Sequence, residues 1–292
     1  MTRLKTADLF DELQPEESRD IRKPDLHKSA ALDDILRAWE IANVNSSNIW
    51  RVRETEYLDL CKRTARLLPQ TYSQQDIKTF GAFLKEYLAL NQPSNLYLAS
   101  LGAERTSLFL NLLINRCTEE EINLNAELLP ENFPVGQYNA GKKITFIGDT
   151  LGKEVACHMT RGKVKITGNV GEKAGYCMKR GILRIKGNCA GELGSSMTGG
   201  KIIVEGNATY GVGNGMYGGK IIVEGNATYG VGNGMYGGKI HIYGNVARTP
   251  GIEMRGGEIY IDGKIPALPK TMEGGNIYHH GTLIFKDGAK IQ

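Results

Sequence analysis

The chain has 292 residues, and its 36 Lys and Arg against 32 Asp and Glu leave a net charge of only +4. Its cations are spread among nearly as many acids, which argues against a nucleic-acid-binding face. No apolar run approaches the ~20 residues of a membrane-spanning helix. The polar N-terminus MTRLKTADLFDELQPEESRD is not a signal peptide, so a cytoplasmic protein of up to two domains is expected, with no membrane partner.

Residues 1–29 hold Pro15, Pro24 and a mixed charge run. They are expected to be a flexible lead-in with a short helix at Thr6–Leu13; a docking peptide built on Leu9, Phe10 and Leu13 is the alternative. Residues 30–128 change character, with glycine only at Gly81 and Gly102 and apolar residues at helical spacing. One stripe is Leu32, Ile35, Leu36, Trp39 and Ile41-Ala42, and a second is Leu58, Leu60, Cys61, Ala65 and Leu67-Leu68. A third, Ile77, Phe80, Phe83-Leu84 and Leu88, is opened by Ser73 as N-cap. Further helices are predicted at Leu96–Leu101 and Ser107–Cys117, with Thr118-Glu-Glu-Glu opening a last short one. The expectation is a small domain of about five helices, with Trp39 and Trp50 in its core. Residues 129–141, LPENFPVGQYNAG, read as a linker, and the helices are placed to cap the first coil of the region beyond it.

From residue 142 a different rule takes over. KIIVEGNATYGVGNGMYGG is written twice without a change over residues 201–238, and diluted copies continue on both sides, the mark of a repeat architecture. Gly168, Gly187, Gly206, Gly225 and Gly244 fall 19 apart, and so do Met159, Met178, Met197, Met216, Met235 and Met254. Each unit opens with alternating β-branched residues, such as Ile202-Ile203-Val204-Glu205, and reads as a short half-buried strand. Nineteen residues of short strands and turns make one coil of a β-solenoid, in which stacking turns each row into a column.

Two columns, Ile144 to Ile277 and Phe146 to Ile261, are expected to be inward aliphatic ones, with the methionines filling a third. Asn169, Asn188, Asn207, Asn226 and Asn245 follow the strand glycine; they are predicted to take the left-handed conformation of a corner and to share amide hydrogen bonds. Tyr210, Tyr217, Tyr229 and Tyr236 decorate the duplicated coils, with Tyr243 and Tyr260 beyond, and form a candidate protein-contact surface. Glu205 and Glu224 would stack as like charges, and Lys201, Lys220 and Lys239 stand close enough to relieve them. The last unit is degraded by Pro266, Pro269 and His279-His280, as a terminal cap is.

The pattern G-N-x-x-x-x-x-G-x-x-M-x-x-G-x-I-x-V-x-G-N recurs in register over roughly residues 140–285. It resembles the GXGXG repeat domain found in the C-type subunit of formylmethanofuran dehydrogenase and at the C-terminus of the glutamate synthase large subunit. That resemblance implies a right-handed parallel β-helix over residues 142–292 without catalytic residues of its own. The fold class expected is therefore α+β, a small helical domain followed by the β-helix.

The constellations that carry chemistry are missing from the sequence. Cys61, Cys117, Cys157, Cys177 and Cys189 form no CxxC, and Cys157 and Cys177 lie one column out of register, one facing in and the other out. His158 has no partner at ligand spacing. Gly211-Val-Gly213-Asn-Gly215 suggests a phosphate loop but leads into a strand, not a helix. No catalytic, cofactor-binding or metal-binding residue is assigned. The function expected is a non-catalytic structural or interaction subunit whose partners are other proteins, with homo-oligomerisation open. The alternative, resting on the resemblance, is a component of a formylmethanofuran dehydrogenase or formyltransferase-hydrolase complex like that C-type subunit, or a detached glutamate synthase segment.

Overall fold

The computed structural model describes residues 30–44, 63, 66, 68, 72–90, 108–129, 133–149, 152–270, 272–287 and 289–291; for 30, 40–44 and 86–90 only the backbone is described. The lead-in 1–29, the stripe from Leu58 to Leu67, Trp50 and the predicted helix Leu96–Leu101 lie outside them. The chain builds a β-solenoid of about eight turns preceded by a few helices.

Three α-helical segments are described, α1 (Ala30–Val44), α2 (Gln74–Leu90) and α3 over 108–116, with a single 3-10 turn at Ala126–Leu128. Ser73 starts α2: its Oγ accepts from the Asp76 amide at 3.3 Å, and the Asp76 carboxylate accepts from the Ser73 amide at 2.8 Å. This reciprocal cap satisfies two donors that the first turn leaves orphaned. Trp39 of α1 meets Phe80 and Phe83 of α2 edge-on, at ring distances of 6.3 and 5.9 Å, and Phe80 meets Phe109 of α3 at 5.6 Å. All four rings are buried.

A strand, β1 (Glu121–Asn125), stands where the last short helix was expected. Its alternation puts Ile122 and Leu124 inward, paired in parallel with Ile144 and Phe146 of β2 (Ala140–Ile147). Burying those two side chains decides the conformation against the helix-start signal of Thr118-Glu-Glu-Glu, since local propensity is the weaker force. The boundary expected at residues 128–142 moves accordingly, because the parallel ladder already begins at β1. Residues 133–139 of the expected linker form part of the first coil, with Phe133 and Val135 buried.

The long sheet continues through β3 (Arg161–Thr167), β5 (Ile182–Ile185), β7 (Lys201–Val204), β9 (Lys220–Val223), β11 (Lys239–Ile242), β12 (Arg255–Ile261) and β13 (Gly274–His279). Neighbours are parallel and in register, Ile202 beside Ile221 and Ile221 beside Ile240, so the two aliphatic rows become buried columns. The second side is a 4-stranded sheet of β4 (Val170–Glu172), β6 (Cys189–Gly191), β8 (Ala208–Tyr210) and β10 (Ala227–Tyr229). The third side is a run of turns.

Both ends are closed. At the first coil the Asn111 side chain accepts from the Gly136 amide (2.9 Å) and donates to the Pro134 carbonyl (3.0 Å), while Lys85 of α2 donates to the Glu127 carbonyl (3.0 Å). At the far end β14 (Thr282–Lys286) and β15 (Ala289–Lys290) fold back antiparallel, so the parallel coil stops at β13 and not at the C-terminus. His279 holds the place of Ile261 in this last coil and bonds the Gly263 carbonyl at 2.9 Å. An open β edge invites pairing with another chain; the fold-back leaves only the 2-residue β15 at the far edge of the long sheet.

Candidate interaction surface

Inside the coil the repeated residues lock together by shape. Met159, Met178, Met197, Met216, Met235 and Met254 are fully buried. Each methyl rests on a glycine of the next coil: a Cβ on Gly219 would sit 2.7 Å from Met197 Cε, and one on Gly238 would sit 2.6 Å from Met216 Cε. The strand-closing row is glycine for another reason. A Cβ on Gly187, Gly206, Gly225 or Gly244 would come within 2.6 Å of the carbonyl oxygen of the same glycine one coil earlier, and one on Gly168 within 2.2 Å of the Gly148 oxygen. The coils are stacked too closely there for any side chain.

The asparagines do not turn the corner by a left-handed backbone. None of Asn169, Asn188, Asn207, Asn226 and Asn245 has a positive φ. Each Oδ1 accepts the backbone N–H of its successor, Asn169 from Asn188 at 2.9 Å, then 2.8, 2.8 and 2.7 Å along the row, and the Lys264 N–H closes it on Asn245 at 2.9 Å. Asp149 begins it, accepting from the Asn169 amide at 2.7 Å. The ladder is therefore side chain to backbone; one side-chain pair joins it, Asn188 Nδ2 to Asn169 Oδ1 at 3.0 Å. It satisfies donors that the corner leaves outside both sheets.

Positive φ falls elsewhere instead: one row of glycines, Gly181, Gly200, Gly219 and Gly238, stands just before the long-sheet strands, and another lies on the third side. Gly211, Gly213 and Gly215 have φ of 65°, 67° and 60°. Their N–H groups go to neighbouring coils: Gly211 to the Tyr229 carbonyl (2.9 Å), Gly213 to Leu193 (2.8 Å) and Gly215 to Asn233 (2.9 Å). A phosphate would need those amides free, and here they hold the stack. Between the glycines runs a buried column that the sequence reading passed over: Val155, Ala174, Leu193, Val212 and Val231. Glycines at every second place hid its alternation. Cys189 is a small core filler; it lies in register between Val170 and Ala208, and burial pushes its thiol up to about 12.

Outside, Tyr217 and Tyr236 stack with ring centroids 4.7 Å apart and planes 1° from parallel, and are 57% and 44% exposed. Arg255 extends that column, donating to Tyr236 Oη at 2.6 Å and pairing with Glu273 at 3.0 Å. Tyr210 and Tyr229 stack at 5.5 Å on a different part of the coil. They have identical sequence neighbours but different surroundings. Beneath Tyr210 is Gly191, whose missing Cβ would lie 2.4 Å from the ring, so the tyrosine reaches across and donates to Glu172 at 2.6 Å. That bond holds the Glu172 carboxyl below the usual carboxylate range and pushes Tyr210 up to about 12. Tyr229 has Tyr210 beneath it and stays exposed.

Further along, Tyr243 stacks on His241 at 4.2 Å, and Tyr260 stacks on Tyr278 at 4.5 Å. The like-charge problem at Glu205 is solved by Arg184 of the preceding coil, at 2.7 Å, and not by the lysine row. Lys239 pairs with Glu258 of the following coil at 2.7 Å. Arginine reaches Glu205 because the two are diagonal neighbours on adjacent strands, within reach of a long side chain.

Cys157 is buried and Cys177 half-buried. Among the described residues, no group of three or more His, Cys, Asp and Glu is placed to hold a metal ion. No described helix is long and apolar enough to cross a membrane. Compared with protein families and with curated proteins, the chain matches none. What it offers chemically is a stiff rod with exposed, pre-stacked tyrosines and columns of charge.

Proposed function

We propose that this chain is a non-catalytic β-solenoid that serves as a structural or protein-interaction subunit of a larger assembly, resident in the cytoplasm. The observation that carries the reading is the contrast between the two faces of the coil. Amides and asparagine side chains are spent on holding one coil to the next, while Tyr217, Tyr229, Tyr236 and Tyr243 remain exposed on that rigid frame. Aromatic residues fixed in place lose little freedom on binding, which is what a protein-contact surface requires.

A second reading keeps the resemblance in view: a right-handed GXGXG coil acting as a non-catalytic component of an oxidoreductase or formyl-transfer complex. The three left-handed glycines of the Gly211–Gly215 turn favour it, because the repeated pattern then has a backbone cause. Both readings expect isolated protein with no flavin absorbance, no stoichiometric metal by elemental analysis, and no turnover in formyl-transfer or amidotransferase assays. A tightly copurifying cofactor would overturn both. Affinity capture from the native source, followed by identification of the captured subunits, separates them.

A further inference from the structure

We infer that the outer face of the long sheet binds the same face of a second copy of this chain, about a two-fold axis parallel to the solenoid axis. The inference rests on the reading of the coil as an interaction scaffold and names one partner for it. On β7 and β9 the outward residues are Lys201, Ile203 and Glu205, then Lys220, Ile222 and Glu224, while Ile202, Val204, Ile221 and Val223 point inward. These two strands thus run from a lysine on one side of the face to a glutamate on the other, with isoleucine between. Among the described residues, no ion pair within the chain engages Lys201, Lys220 or Glu224.

The direction of these columns selects the symmetry. A two-fold axis along the solenoid keeps each strand at its own height and exchanges the two sides of the face. Lys220 of one copy then meets Glu224 of the other, twice over, and the isoleucine columns meet in the middle. A two-fold axis running across the solenoid would instead bring lysine onto lysine, which costs several-fold in affinity. The contact extends toward the C-terminal cap, where Tyr260 and Tyr278 continue the central column in register with Ile222 and His241; Glu258 and Asp262, which this axis sets facing each other, already have Lys239 and His241 of their own chain beside them. Toward the N-terminus it stops near β5. Arg184 lies on the axis but is held by Glu205, at 2.7 Å, and Lys165 beyond it would face its own copy. From β5 to β13, with the rim of side chains, the face measures about 20 Å by 30 Å, so about 1,200 Å² in total would be buried, the low end for a specific interface. A micromolar, salt-sensitive dimer is expected.

The test is sedimentation velocity of the full chain over a concentration series, with three variants whose folding is checked by circular dichroism. The wild type should dimerise, and Lys220→Glu should weaken the dimer at least tenfold by setting the new carboxylate against Glu224 of the other copy on both sides. The same-chain double variant Lys220→Glu/Glu224→Lys should restore it, because the swapped charges meet across this axis. Ile222→Asp should abolish it. A wild type that stays monomeric at the highest concentration overturns the proposal, as does a dimer indifferent to Lys220→Glu or one that the double swap does not restore. Capture of other subunits by that monomer would leave the scaffold reading standing, so the two fail separately.

Discussion

Gly213 and Gly215 share one turn and similar left-handed backbones, yet alanine at the two should behave differently. At Gly215, with φ of 60°, a Cβ would meet only the Ser196 Oγ at 3.8 Å. The left-handed conformation costs an L-residue about 1–2 kcal/mol, and the stiffer unfolded chain returns about 0.4–1, so Gly215→Ala should cost about 1 kcal/mol or less. His158, Cys177, Ser196 and Glu253 already take positive φ in the same column. At Gly213 the new Cβ would sit 2.4 Å from Ile240 Cδ1 in the inward column. Displacing that packed methyl adds the overpacking cost of about 1–3 kcal/mol, so Gly213→Ala should lose about 2–4. Ile240→Val removes the offending methyl at a cost of about 0.5–1.5 kcal/mol, and the pair should be clearly less destabilised than the sum of its singles. Ala156 shows the same logic in the wild type. It occupies the corresponding place one coil before Gly175, whose Cβ would meet Ile202, and the register partner of Ile202 one coil earlier is Leu183, not an isoleucine. Urea unfolding followed by circular dichroism measures all four proteins. Equal losses at the two glycines, or additive behaviour of Gly213→Ala with Ile240→Val, would refute the packing argument.

Deleting Lys220–Gly238 rejoins the chain at a sequence it already contains, so the product should fold one coil shorter, by about 4.8 Å, and melt cooperatively; removing ten residues from the same place should leave insoluble protein, and equal damage from both deletions would sink the modular account. Asn207→Ala strips the Asn226 amide of its acceptor and should cost about 1 kcal/mol in a urea titration. Glu172 and Glu258 are held below the usual carboxylate range, chiefly by bonds from Tyr210 and from Lys239. Their contribution is therefore complete above about pH 4.5 and is lost as pH falls through the lowered values; Tyr210→Phe should flatten that acid-side decline in a pH series of melting temperatures, and an unchanged slope would speak against the Glu172 bond.

The period, the inward aliphatic and methionine columns and the capped far end were legible in the sequence for one physical reason. A coil touches only its neighbours, so residues 19 apart in sequence lie one strand apart in space, and equivalence in letters becomes contact. The spacing could not tell where the first coil begins. Thr118-Glu-Glu-Glu carries a helix-start signal, and only the pairing of Ile122 with Ile144 and Leu124 with Phe146 settles the segment as strand. Nor did it reveal that the asparagines act through Oδ1 and not through φ, since both uses favour the same residue at the same place. Tyr210 and Tyr229 make the distinction plainest. Their coils are identical letter for letter, yet one ring crosses Gly191 to Glu172 and the other lies exposed on its twin. The chain determines what each coil can do, and the coil beneath decides which of those contacts is made.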